Sequence, residues 1–230
     1  MKTMIFPFLM VGVLGAAEAR ECPTSSRMIR ISATGDILVH KPLYENAISH
    51  PKRFRALWSD LLPVLQGADY TIGNLEGPVA PGVAVGGKSV PDVGFKYDGR
   101  VYSGTNMVFN YHPFLLADLK ASGFDFVTIA NNHTLDRGAL GVDRTVESLK
   151  NSGLNFSGIR PRGSSESTAR IVSIKGAKFG FISCTEMTNG MKDSYNQVTK
   201  CGSSEVLKMI GDLKSRTDGV IVFPHWGDEY

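Results

Sequence analysis

The segment TIANNHTLDRG, residues 128–138, places several side chains capable of metal or proton chemistry close together. A strongly apolar run, FDFVTIA, stops at Asn131, Asn132 and His133, and Asp136 follows three residues later. A hydrophobic core needs none of these side chains at such close spacing. Amide oxygen, imidazole nitrogen and carboxylate oxygen form a ligand set suited to Mn, Fe, Zn or Mg ions. The segment therefore predicts a divalent metal site.

Other potential ligands follow apolar runs elsewhere in the chain. Asp36, Glu76 and His225 each come directly after a predicted β-strand, as do Asn132 and its neighbour His133. The carboxyl ends of parallel strands share one edge of a sheet, which is where ligands bind in open α/β folds. We therefore expect these widely separated segments to converge. A carboxylate that bridges two ions about 3.5 to 4 Å apart would clamp a phosphate ester and activate a water.

Each of these residues also has an ordinary structural explanation. Asp36 could cap a turn, and Glu76 could be a solvated turn residue. Residues 131–133 could form a turn in which the side chains bond the nearby backbone. His225 could be an interior histidine with satisfied hydrogen bonds. Their joint occurrence at strand ends favours the metal site.

The elements that would position these residues alternate along the chain. Hydrophobic periodicity predicts a strand in MIRISATGD that runs into a Thr-Gly-Asp turn, a strand in DYTIGNLEG that ends at residues 74–76, and strands in FDFVTIA and LNFSGI. A last strand is predicted in DGVIVFPHWGDEY, where it opens into residues 225–230, and a hairpin with a Lys-Gly turn in ARIVSIKGAKFGFISC. Helices are predicted in KRFRALWSDLLPVLQGA, HPFLLADLKASG, GALGVDRTVESLKNSG and, after a serine cap, SSEVLKMIGDLKSR. The Gly-, Pro- and Asp-rich stretch 77–111 predicts a long surface excursion without packed elements. The alternation indicates an α/β fold with a mostly parallel sheet.

The N-terminal residues predict export. Lys2, an apolar run over residues 4–14, and Ala17 and Ala19 in an A-x-A pattern are typical of a signal peptide spanning residues 1–19. The remaining residues, 20–230, have the composition of one globular domain. The net charge of +3, from 25 basic and 22 acidic residues, gives no basis for a nucleic-acid partner. We expect a periplasmic or extracellular protein associated with the cell envelope.

Three cysteines remain after the predicted cleavage, and they are Cys22, Cys184 and Cys201. An odd number allows at most one intramolecular pair. Cys184 and Cys201 are closer in sequence, but spacing does not establish bonding, and three unpaired thiols are an equal alternative.

Four blocks of the sequence resemble the bacterial capsule synthesis protein CapA family, which is associated with poly-γ-glutamate capsules. The blocks are ATGDILVH, IGNLEGPV, HPFLLADLKASGFDFVTIANNHTLDRGALGVDRTVESLKNSG and VIVFPHWGDEY, and the resemblance runs from about Arg30 to the end. This family is similar in fold to calcineurin-like metallophosphoesterases, in which two mixed sheets pack face to face between helices. The resemblance implies that fold here.

The resemblance also implies roles for individual residues. Asp36, Asn132 and His225 would be metal ligands, Glu76 would stand where a bridging acid lies, and His133 would orient or protonate the leaving group. One or two divalent ions would be bound. The residues expected to contact substrate or support the ligands are Asn74, Asn131, Asp136, Arg137 and Glu229.

The sequence departs from the phosphoesterase pattern in two places. Asp36 is followed by Ile37 and Leu38, so the usual histidine two positions on is absent. The chain ends at Tyr230, before the block with paired histidines that normally completes such a site. We therefore expect a domain that is incomplete at its C-terminal end.

The predicted site and the family resemblance together suggest two alternative functions. The chain could be an exported metal-dependent hydrolase that acts on a phosphate ester or an anionic polymer. Alternatively, it could be a non-catalytic component of capsule assembly that binds the polymer or a membrane-bound capsule synthetase.

Overall fold

The computed structural model describes residues 28–227. The predictions for the signal peptide, Cys22 and Glu229 concern residues outside this range. None of the helices within it has the length and apolar character needed to cross a membrane.

Nine strands and five α-helices make up the described chain, with one 3-10 helix. The strands are β1 Ile31–Ile37, β2 Tyr70–Leu75, β3 Ser103–Thr105, β4 Val108–Asn110, β5 Phe126–Thr128, β6 Asn155–Ser157, β7 Arg170–Ile174, β8 Ala177–Thr185 and β9 Gly219–His225. The α-helices are α1 Lys41–Ser49, α2 Leu62–Leu65, α3 Phe114–Ala121, α4 Gly138–Ser152 and α5 Ser204–Lys214, and the 3-10 helix is Arg53–Leu61.

Two sheets carry the fold. The first has the order β1-β2-β5-β6 and all its strands are parallel. The second has the order β7-β8-β9, with an antiparallel β7–β8 hairpin and a parallel β8–β9 pair. The predicted Lys-Gly turn joins the hairpin, and both Lys175 (φ 49°) and Gly176 (φ 86°) adopt the positive φ angles typical of a tight two-residue turn. The prediction of a mostly parallel α/β sheet is confirmed.

The sheets pack face to face, and helices cover their outer faces. Tyr70, Ile72 and Phe126 of the first sheet meet Val172 and Phe181 of the second in a shared apolar core. The opposite face of the first sheet packs against residues of α1, α3 and α4, and α5 packs on the second sheet. Burial of these apolar faces stabilises the layers, since each sheet and helix must cover its apolar side. The expected two-sheet sandwich is therefore confirmed.

The segment after residue 51 was predicted as one long helix, but it is divided into two in the structure. It forms the 3-10 helix, in which Trp58 departs from helical geometry (φ −135°, ψ 26°), and then the short helix α2. Helix α1, which precedes it, was not predicted. Only Tyr44 and Ala47 of α1 are buried, so its apolar pattern is weak.

The prediction of an unpacked surface excursion over residues 77–111 is wrong. Val79, Val83, Tyr102 and Phe109 are fully or almost fully buried, and the segment contains the β3–β4 hairpin. The buried side chain of Asn110 explains how a segment of irregular backbone can be buried here. Its amide accepts a hydrogen bond from the Ala80 backbone and donates to the carbonyls of Ala80 and Val101, which satisfies polar groups that irregular backbone would leave unpaired.

Candidate metal and phosphoester site

The strand register brings the polar residues of three segments to one edge of the first sheet. Asp36 of β1 lies opposite Asn74 of β2, and Asn74 lies opposite Thr128 of β5. The pairing of β1 with β2 shifts between Ala33 and Asp36, so the Thr-Gly-Asp segment, predicted as a turn, is an irregular part of the strand. On the facing sheet, β9 ends with His225.

A chain of close polar contacts joins these strand ends. The Asn74 side-chain Nδ2 donates to Asp36 Oδ1 at 2.8 Å and lies 3.5 Å from His225 Nδ1. The other ring nitrogen of His225, Nε2, lies 3.1 Å from Asn132 Oδ1. Asp36, Asn132 and His225 are thus brought together from distant parts of the chain, and Asn74 links them.

The orientation of Asn74 is fixed from the opposite side. Its Oδ1 accepts hydrogen bonds from Thr128 Oγ1 and from Asn131 Nδ2, both at 3.2 Å. Asn131 also donates to the Leu75 carbonyl at 2.8 Å and accepts from the His133 backbone N–H at 3.2 Å. Asn74 therefore presents its nitrogen, not its oxygen, to Asp36 and His225.

His133 lies in a buried pocket beside this cluster. Its side chain is only 2% exposed, its Nδ1 lies 2.9 Å from Asp136 Oδ2, and its Nε2 lies 3.9 Å from Glu76 Oε1. The edge of the ring packs on Phe109, with the ring centroids 4.7 Å apart. Asp136 Oδ2 also accepts the Phe109 backbone N–H at 2.7 Å. The two carboxylates and the aromatic ring together fix the orientation of the imidazole.

The side chain of Asn74, not that of Glu76, lies between Asp36 and His225. Glu76 lies just beyond the end of β2, and its carboxylate is placed beside His133. The bridging role assigned to Glu76 stays a prediction.

Arg137 is fully buried. Its guanidinium donates to the carbonyls of Asp136 and Val101 and, at 2.6 Å, to Ser103 Oγ. Burial lowers the pKa of Arg137 to about 10, against the opposing influence of the Asp136 carboxylate. This geometry ties the beginning of α4 to the β3–β4 hairpin.

A cleft of about 280 Å³ opens between the two sheets at this edge. Asp36, Asn74, Thr128 and His225 contribute polar groups to its wall, and Ile72, Val222 and Phe223 contribute apolar ones. Asp36, Asn74 and His225 are therefore accessible through a groove between the sheets, whose lining does not include Asn132 or His133.

The donor atoms fit one divalent ion better than two. Asn132 Oδ1 and His225 Nε2 are 3.1 Å apart, close to the separation of about 3.0 Å between adjacent ligands at right angles around an ion at about 2.1 Å. Asp36 contacts Asn74 on the Nδ1 side of the His225 ring, opposite the nitrogen that faces Asn132. Within residues 28–227 no group of three or more His, Cys, Asp or Glu side chains is placed to hold a metal, and the nitrogen of Asn74 separates Asp36 from His225.

The sequence predicted neither Thr128, which donates to Asn74, nor Asn189 as a contact residue. Asn189, in the loop after β8, accepts from Asn132 Nδ2 at 3.3 Å, and its own Nδ2 lies 3.5 Å from His133 Nδ1. The letters Thr-Asn-Gly at residues 188–190 are typical of a turn and do not follow a strand directly. The sequence therefore offered no signal for this contact.

The family model described as bacterial capsule synthesis protein PGA_cap matches residues 30–230. The chain belongs to this family. The match contains all four segments that form the candidate site.

Relatives of this PGA_cap chain include the PGA biosynthesis protein CapA of Bacillus subtilis, with 24% identity over 99% of this chain and 56% of that protein. The uncharacterized protein y4sH of Sinorhizobium fredii is 29% identical over 66% of this chain and 29% of its own length. The PGA_cap chain thus spans about half or less of the length of these relatives. The crystal structure of 5'-nucleotidase from Candida albicans shares 14% identity over 87% of this chain and 37% of that one, with a TM-score of 0.44.

Proposed function

We propose that this protein is exported and acts in capsule or poly-γ-glutamate biosynthesis, using one divalent metal ion to act on a phosphate ester or an anionic polymer. Membership of the PGA_cap family supports the biological role. The name of the Bacillus subtilis relative, a PGA biosynthesis protein, points the same way.

One observation carries the metal proposal. His225 Nε2 and Asn132 Oδ1 face each other at 3.1 Å, although 93 residues separate them in the chain. An amide oxygen and an imidazole nitrogen belong to the mixed oxygen and nitrogen set that Mn, Fe, Zn and Mg accept. We propose Asn132 and His225 as residues that hold the ion, whereas Asp36, also predicted as a ligand, contacts Asn74 on the Nδ1 side of the His225 ring.

The bound ion would polarise a phosphoryl oxygen and acidify a water. The side chains of the protein would orient the substrate and transfer a proton. His133 would give a proton from Nε2 to the leaving group and keep the hydrogen on Nδ1, which the Asp136 carboxylate accepts at 2.9 Å. The apolar wall of the cleft would exclude bulk water from the substrate.

Export is supported by two features of the chain. The N-terminal residues have the pattern of a signal peptide. Cys184 and Cys201 form a disulfide, a bond that persists in oxidising compartments such as the periplasm or the cell surface.

The second candidate is a non-catalytic component that binds anionic polymer or a membrane-bound capsule synthetase through the same cleft. The presence of Leu38 where a ligand histidine is usual favours this alternative. The Asn74 amide nitrogen that faces both Asp36 and His225 favours it too, because an N–H donor repels a cation.

Metal analysis combined with a turnover assay separates these functions. The purified protein is titrated with Mn²⁺ and Co²⁺ and tested on p-nitrophenyl phosphate, beside His225→Ala, His133→Gln and the control Glu147→Gln. Glu147 is an exposed residue of α4 that pairs with Arg144, so its variant should behave as wild type.

Binding of one ion that His225→Ala abolishes, with turnover lost in His133→Gln, supports the metal-dependent hydrolase. One bound ion without turnover, but with retention of poly-γ-glutamate, supports the binding protein. The absence of any specific ion in the wild-type protein would refute the metal site.

A further inference from the structure

The loop between β8 and α5 brings Asn189 into contact with the candidate site. Its Oδ1 accepts a hydrogen bond from Asn132 Nδ2 at 3.3 Å. The two residues are 57 positions apart, so the contact depends on the packing of this loop against the first sheet.

The Asn132 amide has two chemically opposite ends, and only one of them can bind a cation. Its nitrogen points to Asn189 Oδ1, which leaves its oxygen facing His225 Nε2 at 3.1 Å. Rotation of the amide by half a turn would place two oxygens, those of Asn132 and Asn189, against each other. It would also turn an N–H₂ group towards the position of the ion. Asn189 thus selects the orientation that metal binding requires.

The loop that carries Asn189 is held in a defined conformation. Thr188 Oγ1 donates to the Met191 carbonyl at 2.7 Å and accepts from Lys200 Nζ at 3.2 Å. The Cys184–Cys201 disulfide closes the base of the loop. Asn189 itself has a φ of 47°, a left-handed conformation that asparagine and glycine adopt at lower cost than other residues. The acceptor oxygen is therefore held in place before any ligand arrives.

We infer that Asn189 is a positioning residue that holds the Asn132 amide with its oxygen towards His225 and so prepares it to bind a divalent cation. The inference about the amide orientation stands on the contacts above, and its consequence for metal binding rests on the proposed function.

Two variants separate the side chain of Asn189 from its backbone conformation. Asn189→Gly removes the acceptor and tolerates the positive φ angle. Asn189→Asp keeps an acceptor oxygen at the same position and is also tolerated in the left-handed region. Matching thermal unfolding of both variants and the wild type would show that the loop is retained.

The first measurement uses the metal-free protein and NMR of the Asn132 side-chain amide. In Asn189→Gly we expect an upfield shift of the hydrogen-bonded amide proton and faster hydrogen exchange. In Asn189→Asp the signal should stay at the wild-type position or move downfield. An Asn132 signal that is identical in the wild type and Asn189→Gly would overturn the inference.

The second measurement is the affinity for Co²⁺, followed by its visible absorption and by calorimetry. Partners that orient a ligand typically change metal affinity by about 10- to 100-fold, so Asn189→Gly should bind Co²⁺ more weakly by that factor. Asn189→Asp should bind close to wild type, and a loss equal to that of Asn189→Gly would contradict the positioning role. If the wild type binds no Co²⁺, the proposed metal site fails, while the NMR result still decides the orientation.

Discussion

Asp136 shows how one side chain can serve both the site and the stability of the fold. A single oxygen, Oδ2, accepts from His133 Nδ1 at 2.9 Å and from the Phe109 backbone N–H at 2.7 Å. The first contact orients the imidazole, and the second attaches the β3–β4 hairpin to the loop that carries the candidate ligands. Loss of this carboxylate would therefore affect both.

We predict that Asp136→Ala lowers the free energy of unfolding by about 1 to 3 kcal/mol, because it leaves the Phe109 N–H without its acceptor in a largely buried place. Urea denaturation followed by circular dichroism measures this change. In ¹⁵N NMR, the His133 ring should also lose its preference for hydrogen on Nδ1.

Glu147→Ala is the matched control for this prediction. It also removes a carboxylate, but one that is 57% exposed and pairs with Arg144 on the surface of α4. An exposed ion pair contributes about 0 to 1 kcal/mol. Equal destabilisation by the two variants would show that the buried hydrogen bonds of Asp136 stabilise the fold no more than an exposed ion pair does.

The sequence predicted individual site residues to the extent that they follow strands. Asp36 at the end of β1 and Asn132 after β5 belong to the parallel first sheet, whereas His225 ends β9 on the facing sheet and meets them across the cleft. The central place of Asn74, two positions before Glu76, depends on side-chain direction at the end of β2. Asn189 could not be predicted, because its contact depends on how a loop with no strand period folds back on another segment.

Among the elements, the loop between β8 and α5 links the second sheet to the site. The backbone N–H groups of Thr185 and Cys201 donate to the carbonyls of Thr199 and Thr185, so the two ends of this loop are paired. The disulfide between Cys184 and Cys201, 17 positions apart, adds a covalent closure at the same place.

We predict that Cys201→Ser lowers the free energy of unfolding by roughly 3 kcal/mol, the value expected in the chain-entropy model for a closed loop of this length. Urea denaturation of the variant, and of the wild type with and without dithiothreitol, measures the effect. Cys22→Ser is the control and should leave the unfolding midpoint unchanged. Wild-type protein that is equally stable with and without reductant would contradict the prediction.

The elements that the sequence predicted well are those with a strong apolar period. Strand β2 is almost entirely buried, helix α4 is buried along one face, and β9 is half-buried, which agrees with the apolar residues that predicted them. The stretch 77–111 was mispredicted because its glycines and prolines are typical of exposed loops. Buried polar side chains such as Asn110 and Arg137 satisfy its backbone instead, and such long-range bonds leave no local pattern.

On the scale of the whole molecule, buried tyrosines connect the layers of the fold. Tyr70 lies in the core between the two sheets, whereas Tyr44, Tyr102 and Tyr111 pack in the core on the helix side of the first sheet. Tyr111 donates to the Glu76 carbonyl at 2.9 Å and accepts from the Val39 N–H at 3.2 Å, which joins the segment 77–111 to the residues that follow β1 and β2. Each phenol must stay neutral to remain in place.

Burial raises the pKa of Tyr70 to about 12 and raises the pKa values of Tyr44, Tyr102 and Tyr111 as well. In the unfolded chain these phenols titrate near pH 10. Between the two pKa values the unfolded state loses protons that the folded state keeps. Stability is therefore fully present below pH 10 and is lost as the pH rises through the folded-state values. For Tyr70 alone, the difference corresponds to about 3 kcal/mol.

We predict that the free energy of unfolding falls steeply above pH 10, and that phenolate formation is incomplete in the folded protein. Absorbance at 295 nm, recorded at pH 10.5 with and without urea, measures the second effect. The chain has seven tyrosines, so ionisation of all of them in one transition near pH 10 without unfolding would contradict the burial of these four. Tyr70→Phe provides the control: it removes the phenol that titrates and keeps the ring that packs on Phe181, so its stability should decline less over the same pH range.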